Sequence, residues 1–505
     1  MGEHLADPGF TATVLARTRR RIEIFDQAGE DWRFAESLKS ISEDAAQEYE
    51  GRAVLELVQN GHDALYRGDQ GRIMVLLDVR PSPGVLYVAN EGAPFRDTNF
   101  KSITEFALSD KGAGEGIGNK GLGFRSVLQL TDWPEVYSKA TVASNVFDGY
   151  CFRFASSEDL RALIDDDGLL SRAVEQVSPL ALPVPADVAD PVLMELAIAG
   201  FCTVVRLPLR SPQAADAARE QVQAVVTSPA PLLLFLDRVS ALTVEVRDHD
   251  GSGAWQQTLT RVTRASELVV ARDQDWVQEV DLGTGGNYLL ARRALAVESL
   301  NSAMKRSVQA REIDEKWLEW GGEGAWVGLG LRLDEDLTTG RLYTFLPMAE
   351  GARAPLCAHV HAPFFTKLAR RDISEGVALN DHLLNELAQL SVHLLRRLRA
   401  ETPPHVSDGL VLDLACWEPP DRLDAALAGT LADEPVLPLA AASWWGSLSG
   451  SHIWPRRPRP WAVLTPQALA RIGVDIFDAN VVSERRWQRL ATLHQVLLPS
   501  GGRSI

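Results

Sequence analysis

The chain has 505 residues, 46% of them apolar and 24% charged, with a formal net charge of −17; it is long enough for two or three domains with their own cores, and its acidity speaks against a partner held mainly through a phosphate backbone. Cys151, Cys202, Cys357 and Cys416 lie far apart with no C-x-x-C, which excludes a zinc module or disulfide scaffold of the usual spacing and fits a reducing cytoplasm. The start, MGEHLADPGF, has no basic-then-apolar leader, and no apolar run approaches the ~20 residues of a membrane span, so a cytoplasmic protein with no membrane partner is expected.

In chain order, residues 12–66 read as mostly helical, with the basic cluster RTRRR (17–21) on a solvated face. RIMVLLDVR and VLYVAN, separated by PSPG, have the pattern of a β-hairpin. After the glycine-rich GAGEGIGNKGLGFRS (112–126) come the strand-like EVYSKATVA, YCFRFA and FCTVVRLPLR, and RSPQAADAA reads as a linker near 212. From there to about 400, the runs LTVEV, QQTLTRV, ELVVA, WVGLGLRL and RLYTFLP read as strands, followed by a long helix, DHLLNELAQLSVHLLRRLRA. A Trp-, Pro- and Ala-rich tail ends the chain.

Gly116, Gly118 and Gly121 spell G-x-G-x-x-G, but the segment before them, FALSDKGAGE, is no strand, as a dinucleotide fingerprint requires. Lys120 is followed by Gly121 rather than Ser or Thr, which excludes a P-loop, and no kinase signature accompanies it. Upstream, EYEGRAVLELVQNGHDALYRG places Glu56, Asn60 and Asp63 at i, i+4 and i+7, within roughly 60° of arc on a helix. Val54, Val58 and Leu65 take the other side, and Gln59 and His62 widen the polar stripe. Such a stripe suits either an amphipathic surface helix with solvated Glu and Asn, or a site where the carboxylate accepts a proton and the carboxamide oxygen meets magnesium.

ELVQNGHDA resembles the N-box of the GHKL ATPases, the superfamily of DNA gyrase, the ninety-kilodalton heat-shock chaperones, histidine kinases and MutL. YVANEGAPF, IGNKGLGFRSVLQLTD and GFCTVVRLPL follow in the order of that superfamily's adenine box, phosphate-wrapping glycine box and late G-T strand. The spellings YEGRAVLELVQN, NEGAPF and IGNKGLGFRSV, with RLYTFLP and HVHAPFFTKLARRDI further on, are similar to the sacsin and NO VEIN branch, so the resemblance covers roughly residues 40–400. The fold it implies is α+β: a Bergerat-type α/β sandwich over 1–212, a mixed α/β middle domain over 213–400, and a small C-terminal region over 401–505.

By this resemblance, Glu56 is the base or water-orienting residue, Asn60 the Mg2+ ligand touching the phosphates, and Asp63 a nucleotide support on the same helix. Gly118, Gly121 and Gly123 bring backbone N–H groups to the phosphates of ATP, with Asn119, Lys120 and Leu122 in the same box and Phe124 opening the helix behind it. Thr203 helps hold the adenine side. Asn90 stands where the superfamily has Asp; its oxygen can accept from adenine, while its NH₂ could meet a guanine carbonyl, so ATP and GTP both stay open. Gly92 keeps the turn of that box, and Pro94 replaces its second glycine.

Lys111 either reaches a phosphate or is a solvated loop lysine. Arg370 and Arg371 either sense the terminal phosphate from the second domain or bridge Asp372 and Glu375. His359 and His361 read as strand residues. WPRRPRPW (454–461) suits either aromatic and phosphate contacts with nucleic acid or a segment docked on the protein itself. The resemblance implies an ATPase switch, chaperone-like or part of a bacterial anti-phage system, with a protein client or a nuclease-containing defence component as partner and an ATP-linked homodimer. The alternatives are a DNA-associated ATPase of the MutL kind and a nucleotide-gated module with little hydrolysis.

Overall fold

The computed structural model describes residues 8–28, 51–104, 123–439 and 445–498, apart from 67, 250, 271–274, 323, 367–371, 404–405, 454–467, 469–470, 472, 474–475 and 478–481. The chain forms two units, Met1–Arg261 and Val262–Ile505. Both combine helices with a mixed sheet, an α+β architecture as expected.

The first unit is built on an eight-stranded sheet. Its strands are β1 (Gly71–Asp78), β2 (Val85–Asn90), β3 (Glu135–Ser138), β4 (Cys151–Phe154), β5 (Pro183–Pro185), β6 (Thr203–Pro208), β7 (Val239–Arg247) and β8 (Trp255–Thr260), in the order β5-β4-β3-β6-β2-β1-β7-β8. The β1–β2 hairpin expected from the two apolar runs is present, with Ile73 opposite Asn90 and Asp78 opposite Val85. Every pairing in the sheet is antiparallel except β1 with β7, which run parallel from Gly71↔Val239 to Asp78↔Arg247.

The helices of this unit are α1 (Pro8–Ala28), α2 (Ala53–Ala64), α3 (Asp97–Thr104), α4 (Ser157–Leu163), α5 (Asp167–Gln176), α6 (Pro191–Ile198) and α7 (Pro212–Thr227). In the basic cluster of α1, Arg19 and Arg20 are exposed, as a solvated face requires. Arg17 instead lies over the Phe100 ring at 5.2 Å, and Arg21 donates to the Thr104 carbonyl at 2.9 Å. Half of the cluster is therefore an anchor, whose aliphatic stems cover apolar surface.

RSPQAADAA, expected as a linker, opens α7 instead. Ser211 caps it by accepting from the Ala214 amide, and Pro212 takes the first turn, where its missing N–H costs nothing. The sheet then continues through β7 and β8, so the first unit runs to Arg261 rather than stopping near 212.

The second unit carries a seven-stranded sheet of β9 (Val262–Ala265), β10 (Asp275–Asp281), β11 (Asn287–Ala294), β12 (Trp326–Arg332), β13 (Leu342–Thr344), β14 (Leu346–Pro347) and β15 (His359–His361), ordered β14-β13-β15-β12-β11-β10-β9. ELVVA, expected as a strand, forms none over its described part, residues 267–270. The Ser266 hydroxyl accepts from the amides of Leu268 and Val269 and turns the chain there. His359 and His361 sit on β15, buried, with each Nδ1 accepting a backbone N–H, from Arg341 and Phe345.

Helices α8 (Val297–Gln309), α9 (Ala378–Glu401), α10 (Asp408–Ala415), α11 (Asp421–Ala426) and α12 (Glu484–Leu497) belong to this unit, as do two short two-stranded sheets between α11 and α12. The long α9 packs on β11, β12, α8, α10 and α11, and α12 packs on α10. Asp413 of α10 is buried and holds Arg486 at 2.6 Å and Arg489 at 3.3 Å from α12, so the described part of the tail is built into the same unit as α9. Burial raises the pKa of Asp413 despite its two arginines.

Candidate functional site

The site is organised by α2. This helix lies against β1, β2, α7 and a short 3-10 helix, Gly123–Gln129. Its first turn is capped from outside: the Val54 amide donates to the Gln221 side chain of α7 at 3.2 Å. Just before it, the Gly51 amide donates to the Gln129 side chain at 3.1 Å. Its C-terminal end is pinned where the Ala93 amide donates to the Ala64 carbonyl at 2.9 Å. Gly92 adopts φ +102, and a Cβ there would strike the Ala64 carbonyl oxygen. Both facts demand glycine at 92 for reasons of backbone geometry alone.

The reading of α2 as a surface helix with a solvated glutamate fails. Ala53, Val54, Leu57 and Val58 are buried, but so are Glu56, Gln59 and His62, because the polar stripe meets protein rather than water. Glu56 is 2% exposed. Its Oε1 has no hydrogen-bond partner among the described residues, and a buried oxygen left unpaired costs about 1–3 kcal/mol. The carboxylate faces Gly123, where an added Cβ would collide with Oε2 and come within 3.2 Å of the Glu56 Cδ. One turn further on, Asn60 is half-buried.

The sheet supplies the opposite wall. Tyr87 and Ala89 of β2, Tyr137 of β3 and Val204 of β6 share one core with Val192, Leu193 and Leu196 of α6. Alternation along a strand therefore turns Asn90, Ser138 and Thr203 to the other face, the side of α2. Gly61 confirms this side, since a Cβ on it would lie 3.1 Å from Ile73 Cδ1 and 3.3 Å from the Asn90 Cβ. Thr203 pairs directly with Asn90 on β2 and with Ser138 on β3, and the Thr203 and Ser138 hydroxyls are 3.3 Å apart. The Asn90 Nδ2 donates to the Glu91 carbonyl at 2.7 Å.

Asp63 is drawn inward. Its carboxylate lies 3.2 Å from the His62 Nδ1, while the His62 Nε2 lies 3.2 Å from Asp237, just ahead of β7. Burial alone would lower the His62 pKa, but hydrogen bonds to Asp237 and Asp63 raise it above its usual value. Phe124, expected to open a helix, is the second residue of the 3-10 helix and is buried. Beside it, burial pushes the Arg125 pKa down to about 10.

Glu56, Asn60, Gly61, Asn90, Thr203 and Gly123 thus enclose one region of the first unit. Lys111, Gly118, Asn119, Lys120, Gly121 and Leu122 lie outside the described residues, as do Arg370, Arg371 and the segment 454–461. Sequence reasoning missed the His62–Asp237 contact, the Gln221 cap and Ser138, which come from 65 to 175 positions away from their partners and carry no local signal.

Residues 35–258 match the sacsin domain family. Over this region the chain is similar to the sacsin and NO VEIN-like proteins. Protein NO VEIN of Arabidopsis thaliana is 24% identical over 373 residues, which cover 72% of this chain and 12% of that protein. The chain thus spans a small fraction of the length of that relative. The match to the sacsin domain ends inside β8, takes in every strand before it, and contains all the residues that enclose the region beside α2. Among the described residues, no helix is long and apolar enough to cross a membrane.

Proposed function

We propose that the sacsin domain of this chain binds and hydrolyses ATP with magnesium, in the manner of a GHKL ATPase with a Bergerat-type sandwich, and that the nucleotide acts as a conformational switch on a protein partner. The observation that carries this reading is Glu56, a buried carboxylate with one oxygen that has no hydrogen-bond partner among the described residues, set against a glycine at the end of the glycine-rich segment. A folded protein tolerates such a group when a ligand completes it.

In this reading the Glu56 carboxylate orients water and takes its proton as it attacks the terminal phosphate. Asn60 would hold Mg2+ through its amide oxygen, and a bound magnesium neutralises phosphate charge. Gly123 keeps the space before Glu56 open, and Gly118 and Gly121 present backbone N–H groups to the phosphates. Asn90 receives the base. One of its two N–H donors is engaged with the Glu91 carbonyl and Oδ1 remains an acceptor, which favours a base offering an amino group, adenine over guanine. Thr203 and Ser138 supply hydroxyls beside it. Asp63, held by His62, supports the base side of the helix. Arg370 or Arg371 senses the terminal phosphate from the second unit. The downstream role, chaperone-like or in anti-phage defence with a nuclease-containing partner, follows the family resemblance.

The test compares ATP binding and turnover with magnesium in wild type, Glu56→Ala and Asn60→Ala. The expected pattern is binding without turnover for Glu56→Ala and loss of binding for Asn60→Ala. Wild type that neither binds nor hydrolyses ATP would overturn the reading.

A further inference from the structure

The two ends of α2 are held by different parts of the chain. At the Glu56 end, the Val54 amide meets Gln221 of α7 and the Gly51 amide meets Gln129. At the Asn60 and Asp63 end, the hold comes from LFLDRVS, residues 234–240. Leu234, Phe235, Leu236 and Val239 are fully buried, and the Val239 amide donates to the Leu236 carbonyl at 3.1 Å. That bond closes a tight turn with Asp237 and Arg238 at its central positions, two charged residues set into an otherwise apolar run.

The turn reaches α2 through two contacts. The His62 Nε2 lies 3.2 Å from the Asp237 carboxylate, and the Arg238 guanidinium donates to the Leu65 carbonyl, just past α2, at 3.3 Å. The same turn is tied to the start of β1, where the Gly71 amide donates to the Arg238 carbonyl at 2.9 Å. His62 is 1% exposed, and its other ring nitrogen, Nδ1, lies 3.2 Å from the Asp63 carboxylate. An imidazole engaged at both nitrogens has its ring orientation fixed, so the place of Asp237 is passed on to Asp63. On its sheet side this end of the helix has little slack, since a Cβ on Gly61 would lie 3.1 Å from Ile73 Cδ1 and 3.3 Å from the Asn90 Cβ. In so close a packing, any displacement of the helix end changes the spacing of Asn60 and Asp63 from the Asn90 wall.

We infer that Asp237 is a positioning residue for nucleotide binding: acting through His62, it sets Asp63 and the Asn60 end of α2 against the sheet, while the Glu56 end keeps its own anchors. The inference rests on the nucleotide reading above and deepens it. One helix carries both the binding groups and the catalytic carboxylate, and separate distant residues hold each end, so affinity and turnover respond to different substitutions.

The experiment uses the full chain. The Asp237 side chain is 36% exposed, so replacing it leaves the core intact. Asp237→Ala is expected to raise the Kd for ATP with magnesium about tenfold, while turnover at saturating ATP stays within about twofold. Asp237→Asn, which keeps an acceptor for the imidazole, should recover affinity to within about threefold of wild type. His62→Phe should weaken binding at least as much as Asp237→Ala, and adding Asp237→Ala to it should cost nothing further, because the link is already cut. Without nucleotide, amide hydrogen exchange in Asp237→Ala should quicken about tenfold over residues 60–65 and stay unchanged over 56–58. Unchanged affinity of Asp237→Ala, an equal fall in its turnover, a further loss in the double variant, or exchange that quickens evenly along α2 would each overturn the inference. Failure of the nucleotide reading looks different: wild type itself does not bind ATP, which removes the role of Asp237 in binding as well, whatever the exchange pattern.

Discussion

Gly123 and Glu56 share one space: a Cβ on the first would collide with the carboxylate of the second. Glycine at 123 is therefore set by a side chain rather than by a turn. Gly123→Ala is expected to displace the Glu56 carboxylate and cut ATP turnover by at least about 100-fold, with a stability cost of about 1–3 kcal/mol from the overpacked contact. Turnover and a denaturant titration of the same preparation check this. Near-normal turnover would mean that the carboxylate can move aside without consequence.

The hydrogen bond from Asn90 to the Glu91 carbonyl uses one of its two N–H donors and leaves Oδ1 free to accept from a ligand. ATP should bind at least about tenfold more tightly than GTP. Asn90→Asp, which keeps the acceptor, should retain ATP within a few-fold, and Asn90→Leu should lose it. Competition against a fluorescent ATP analogue measures all three, and equal affinity for GTP in wild type would contradict the assignment.

His359 offers a pH test in the second unit. Burial, with Arg341 and Arg332 nearby, lowers its pKa to about 3, from 6.5 in an unfolded chain. The unfolded state therefore takes up a proton first as pH falls. The stability associated with the neutral imidazole is complete above about pH 6.5 and is lost progressively toward pH 3. Wild type should lose about 2 kcal/mol more than His359→Asn between pH 7.5 and 5, the asparagine preserving an acceptor for the Arg341 amide. Parallel pH profiles of the two in urea denaturation would refute the assignment.

Asp413 is the buried anchor of α12. Removing it in Asp413→Ala takes away the ion pair of Arg489 and one of the two carboxylates that hold Arg486, which keeps Asp336 at 2.5 Å. A loss of about 2–3 kcal/mol is expected in the transition that reports the second unit, followed by tryptophan fluorescence in denaturant. A loss below about 1 kcal/mol would show that water replaces the carboxylate.

Much of the first unit was legible because its signals are local. Two apolar runs around PSPG are a hairpin in any context, and the 3.6-residue period of AVLELVQNGHDA gives a helix. What the pattern could not convey was the surroundings of that helix. A polar stripe of Glu56, Gln59 and His62 looks the same whether it faces water or a wall, and here the wall is assembled from Gly123, Gln221 and Asp237, brought in from far along the chain. The family resemblance singled out Glu56, Asn60, Asn90 and Thr203 from motif spelling, and α2 and the sheet face bring these four to one region. RSPQAADAA misled because Ser-Pro followed by small residues begins a helix as readily as it makes a linker.

The parallel pairing of β1 with β7 also bears on how the protein is made. Val75 and Leu77, fully buried in the finished sheet, lie on a strand whose second neighbour is about 170 positions downstream. As the chain leaves the ribosome, β1 presents an open, apolar edge until residue 247 has emerged. The wall that carries the Asn90 side of the cleft thus matures late, and a fragment ended at the apparent break near 212 would leave that edge permanently bare.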